Sequence, residues 1–215
     1  MKFLEKHRPI KEDIEALDTD IDIYFGAEVK ILPNASSPYS AEVAGEMGFQ
    51  FAIGGPHIPF LDKWDEAEFV KLQHENHIAT CADPLVEVLV HPWWFWKAEF
   101  EEKGFPWLTD MKFLPKSVTK ELGCAAKETG TAIEINSSAI FANPSYSFAF
   151  KAEYVEYLAL LAEEGPMFSL SSDSHDISLP AGVAMADAAL GEAGISEERV
   201  WHPKMEPLHK RMSGS

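Results

Sequence analysis

Apolar positions along the chain keep switching between two rhythms, runs of β-branched and aromatic residues and stretches at helical spacing. Ile10, Ile14 and Leu17 place a helix over residues 9–18, with Pro9 suited to its first turn. Residues 21–31 (IDIYFGAEVKI) read as a first strand, and residues 33–38, rich in Pro and Ser, as a loop. A short helix is expected over 41–47 and a second strand over 49–53, stopped by Gly54-Gly55-Pro56. Phe69, Leu72 and Ile78 mark a long helix from about 65 to 82. A third strand follows over 85–90, then the aromatic insertion Trp93-Trp94-Phe95-Trp96. The pattern then predicts a helix over 115–129, a strand over 131–136, a helix over 148–164, a strand over 166–170 and a helix over about 179–193. The end of the chain, about 204–215, reads as a tail, as residues 1–17 read as a lead-in.

Strands alternating with helices predict parallel pairing, an α/β fold, in one domain spanning 1–215, with no linker or change of composition. No apolar run approaches the ~18 residues of a membrane span. The first residues, MKFLEK, lack the apolar core of a signal peptide. Two cysteines without close spacing fit reduced thiols, and the expectation is a cytoplasmic protein. The net charge of −17 disfavours phosphate backbones, so no nucleic-acid partner is expected, and without a long apolar run no membrane partner is expected either.

In parallel α/β sheets, function collects at the C-terminal ends of the strands. Those ends carry Glu28, His57, His91, Glu134 with Asn136, and Asp173 with His175. Three of the eight histidines fall there. Carboxylates and imidazoles are the donors of zinc, manganese and iron sites. Each residue alone has a plainer reading, as surface carboxylate, turn residue or loop cap. The set arriving from every strand is what points to chemistry. His74 and His77 share a helix face, but a helix outside the sheet would hold them far from the strand ends. The aromatic run at 93–96 is read either as a pocket wall or as packing.

Gly26-Ala27-Glu28-Val29, Gly54-Gly55-Pro56-His57, Val90-His91-Pro92, Ile133-Glu134-Ile135-Asn136 and Ser172-Asp173-Ser174-His175, in that order, resemble the PHP (polymerase and histidinol phosphatase) family of metallohydrolases. The resemblance runs from about residue 18 to about residue 200. It implies a distorted β/α barrel of seven strands with divalent zinc, manganese or iron at the strand ends. Glu28, His57, His91, Asp173 and His175 would then be metal ligands. Glu134 and Asn136 would orient them, and Asp173 or His175 would move the proton in catalysis. One ion is expected at Glu28, His57 and His91; Asp173 and His175, without partners from the absent strands, would hold a second weakly or share the first.

The family's opening H-x-H and its Asp-His strand end have no counterpart here. The expectation is a barrel incomplete at its N-terminus, with about five of seven strands. A homodimer would cover the open edges. The implied reaction is metal-assisted hydrolysis of a small phosphorylated substrate. The alternative is an impaired or inactive remnant that binds metal or a partner. Phosphate would need a cation, and Arg8, Arg199 and Arg211 fall away from the strand ends, leaving Lys97 and Lys103 as substitutes.

Overall fold

The computed structural model describes residues 2–31, 40–174 and 182–212. The loop at 33–38, the start of the helix expected from 179, and His175 lie outside them. A lead-in helix α1 (Lys2–Glu15) is followed by β1 (Gly26–Lys30), α2 (Ala41–Met47), β2 (Phe51–Gly55) and α3 (Glu66–Ala82). Then come β3 (Val88–Leu89), α4 (Lys97–Glu102), α5 (Lys116–Thr129) and β4 (Ala132–Asn136). The last elements are α6 (Phe148–Glu164), β5 (Phe168–Ser171), α7 (Gly182–Glu192) and α8 (Leu208–Met212).

Helix ends follow capping chemistry. Asp65 accepts from the Glu68 amide at 3.1 Å to start α3, and Ser147 accepts from Phe150 at 3.0 Å to start α6. Gly165, at φ 95°, stops α6 in the left-handed region where a side chain would be strained. Pro9 departs from expectation. It lies inside α1 instead of in its first turn, because the helix begins at Lys2. The first strand shrinks to Gly26–Lys30, leaving Ile21 exposed. The third keeps only two ladder residues, because Asp83 pulls the chain into a turn by accepting from Leu85 at 2.9 Å and from Val86 at 3.0 Å.

All five strands are parallel and lie in chain order, β1-β2-β3-β4-β5. With one crossover hand, this order carries the helices on one face of the sheet. Leu89, Ile133, Ile135 and Phe168 point to that face and join Phe69, Leu122, Tyr154 and Leu158 in the main core. Alternation sends Glu28, Lys30, Ile53, Val88, Val90, Ala132, Glu134 and Asn136 to the opposite face.

The floor of that second face, at the N-terminal strand ends, is covered from the end of the chain. Val200 bridges to Phe168, and the Trp201 ring packs edge-on to Phe51 with centroids 6.0 Å apart. The tail then crosses under the sheet. Met205 O accepts from Gln50 Nε2 at 3.1 Å, and the Leu208 amide donates to Phe49 O at 2.8 Å. Arg211 reaches both Glu87 carboxylate oxygens and Gln50 O. This strap joins the β5 side of the sheet to the β1–β2 side.

Candidate functional site

The C-terminal strand ends enclose a cavity of about 370 Å³ lined by Glu28, His91, Glu134, Asn136, Ser171, Ser172 and Asp173, with Ile53, Val90, Leu170 and Val183 as apolar walls. Two larger hollows, about 580 and 590 Å³, lie on the helix side against α5–α6 and α3–α5. The smaller one is where the strands deliver their polar residues.

His91 is the centre of it. Only 6% of it is exposed, and its Nε2 lies 3.6 Å from Glu28 Oε1, an ion-pair contact longer than a good hydrogen bond. Its backbone amide donates to Glu134 Oε2 at 2.6 Å. The same oxygen accepts from Asn136 Nδ2 at 3.1 Å. Asn136 Oδ1 in turn accepts from the Ala139 amide at 2.7 Å, capping the short π-helix Ser137–Phe141. Glu134 is thus committed on one oxygen to two donors, and it fixes the end of β3 from β4.

Backbone strain collects here. Among the described residues, the non-glycine positions with positive φ are His91 (30°), Trp93 (62°) and Asp173 (47°). Left-handed backbone costs roughly 1–2 kcal/mol for each such residue, and persists where neighbours over-determine it. For the 91–93 turn those neighbours are visible. The Trp94 amide donates to His91 O at 3.0 Å, and the buried Tyr154 hydroxyl donates to Pro92 O at 2.9 Å. Trp93 is wholly buried.

Burial alone would lower the His91 pKa. The Glu28 contact and the charges of Glu134, Glu28 and Asp173 outweigh it and hold the ring above the usual histidine value. Burial raises Glu134, against the opposing pull of His91. His57, half-buried, is lowered first by burial, then by the charges of His91 and Lys30.

The structure brings Glu28, His91, Glu134, Asn136 and Asp173 to one cavity. His57 stands beside it, its ring 6.0 Å from that of His91. The aromatic insertion divides between both of its readings. Trp94 packs against His91 at 4.8 Å and His57 at 6.1 Å, as a wall of the site. Trp93 and Phe95 are core, and Trp96 is exposed. The placement of His77 differs from the expected outer position. The histidine face of α3 turns inward, so His77 is fully buried 4.9 Å from the Trp93 ring. Lys97 faces Glu101 at 3.9 Å.

Glu28 and His91 are donors of the type a divalent metal takes. The Glu28 carboxylate faces the His91 imidazole, whose buried Nδ1 has no hydrogen-bond partner. It is not a finished coordination shell. Among the described residues, no group of three or more His, Cys, Asp or Glu side chains is arranged to hold an ion.

Two residues outside the cavity lining bear on its neighbours, Tyr154 on Pro92 and Lys30 on His57, and carried no motif. Tyr154 lies in mid-helix, where its hydroxyl could not be told from a surface group. Lys30 was legible by alternation, since it shares the face of Glu28 two residues on. No described helix is long and apolar enough to cross a membrane. No family model matches the chain, and no curated protein matches it significantly.

Proposed function

We propose that the chain is a metal-dependent hydrolase acting on a small phosphorylated substrate at the C-terminal end of its sheet, in the manner of the PHP proteins its motifs resemble. The observation that carries this reading is the convergence of Glu28 and Glu134, from β1 and β4, with His91 and Asp173, just beyond β3 and β5, on one strand-end cavity. Parallel strands in chain order support reading the sheet as a section of a distorted barrel.

Glu28 and His91 would hold the ion, with His57 beside them. When bound, the ion would supply Lewis acidity and lower the pKa of water. The chain's own residues do the rest. Glu134 and Asn136 fix the His91 backbone. Trp94 shields one side of both imidazoles. Asp173, which lines the same cavity as Glu28, would accept a proton from the attacking water and return one to the leaving oxygen.

The second reading is a metal-binding or interaction domain without turnover. One experiment separates the two. The protein, purified without chelator, is assayed for bound metal by mass spectrometry and for p-nitrophenyl phosphate hydrolysis with added manganese. Bound transition metal and turnover, both lost in Glu28→Ala, is the expected result. Metal without turnover selects a metal-binding domain, and neither metal nor turnover refutes the hydrolase reading and leaves an interaction domain.

A further inference from the structure

Hydrolysis of a phosphorylated substrate in a cavity lined by Glu28, Glu134 and Asp173 leaves a question of charge. The substrate is an anion, and so are the walls. A protein cation must meet the part of the phosphate that a metal does not. The arginines are spoken for or remote. Arg199 donates to Pro166 O and Ala162 O, Arg211 is taken up by Glu87 and Gln50 O in the strap, and Arg8 lies in the lead-in helix. Lys97 faces Glu101, and Lys112 faces Asp110 and Glu153.

Lys30 is different. It is the last residue of β1, on the face and at the end of the sheet where Glu28 stands. Its neighbour in the ladder is Gly55, two residues before His57. A Cβ at Gly55 would lie 2.8 Å from Val90 O, immediately before His91, so the backbones of β2 and β3 close up tightly there. Lys30, Gly55 and Val90 therefore form one row across the mouth of the site. Lys30 closes the β1 end of that row, beside the cavity that Glu28 and Val90 line. Lys30 is exposed, and no ion pair to it occurs among the described residues. Its charge is felt at His57.

We propose that Lys30 is the anion-gripping residue of this site, binding the phosphoryl oxygens of the substrate from the β1 side while Glu28 and His91 stand at the reacting centre. The proposal rests on the hydrolase reading above and adds the substrate's orientation: phosphate toward β1, leaving group toward β5 and Val183. The ammonium acts as a point charge, so arginine at this position should substitute for it.

The test reads binding separately from turnover. Inorganic phosphate is titrated into full-length protein with manganese present, by calorimetry, for the wild type, Lys30→Ala, Lys30→Arg and Lys97→Ala. Because Lys30 is exposed, its removal should leave the thermal melt in place, and that is checked alongside. Loss of one charge-assisted contact should raise the phosphate Kd of Lys30→Ala roughly tenfold or more. Lys30→Arg should return to within about threefold of the wild type, and Lys97→Ala should bind as the wild type does. With p-nitrophenyl phosphate, Lys30→Ala should raise KM more than it lowers kcat. Equal phosphate affinity in the wild type and Lys30→Ala overturns the assignment of Lys30 and leaves the hydrolase reading standing. A wild type that binds no phosphate and hydrolyses no ester overturns both.

Discussion

Lowering the pH should destabilise the protein through His77, by an amount that follows from its surroundings. The ring is wholly buried in α3, its Nε2 lies 3.2 Å from Gln73 Nε2, and the Trp93 ring closes one side at 4.9 Å. An amide nitrogen can only donate, so the facing imidazole nitrogen must accept, and His77 is held neutral. Burial first, then the charges of His74 and His91, push its pKa down to about 3 from 6.5. The unfolded chain therefore binds a proton below pH 6.5 that the native state refuses. Stability from this residue is whole above pH 6.5 and falls steadily toward pH 3. Between pH 7.5 and pH 5 the difference comes to about 2 kcal/mol. Urea unfolding at both pH values, for the wild type and His77→Phe, isolates it, because the other titrating groups are common to the two proteins. The wild type should lose about 2 kcal/mol more than the variant on acidification. Equal losses would show that His77 is solvated or protonated in the native state and would refute the argument.

Two further predictions concern the thiols and the strap. Iodoacetamide should label Cys124, which is exposed, and leave Cys81, buried with its thiol pushed up to about 12, until the protein is unfolded; mass spectrometry of the native protein showing Cys81 labelled would contradict this. Arg211→Ala leaves the half-buried Glu87 carboxylate without its partner, and should cost about 2–3 kcal/mol in denaturant unfolding. Arg211→Lys should not restore it, since a single ammonium cannot span both oxygens and Gln50 O.

Local chemistry made much of the fold readable. The limits of α6 follow from Ser147 and Gly165, which act within one turn of where they stand. The strand-end residues were found by the same means, because alternation along a strand is a local rule. What escaped were effects that depend on which elements meet. The inward turn of His77 is set by Trp93 and the helix packing, and nothing in the H-x-x-H spacing reports it. The loss of the first half of the third strand is a contest between β propensity and the Asp83 turn, and the side chain won. Alternation puts Lys30 on the face of Glu28, but nothing local to it reports that Arg199 and Arg211 are taken up elsewhere.

The strap beneath the sheet has a consequence for how the molecule comes into being on the ribosome. Its contacts join residues 161 positions apart, Gln50 to Arg211, and 124 apart, Glu87 to Arg211. Pairings this distant are slow to form and cannot precede synthesis of Arg211. The β1–β2 pair, with α2 beside it, must therefore wait with its underside uncovered until residues 205–211 have been made. During that interval Phe49 and Phe51 are open to chaperones or to neighbouring nascent chains. A variant cut short before Leu208 would keep the strand-end residues and yet be arrested in this vulnerable interval.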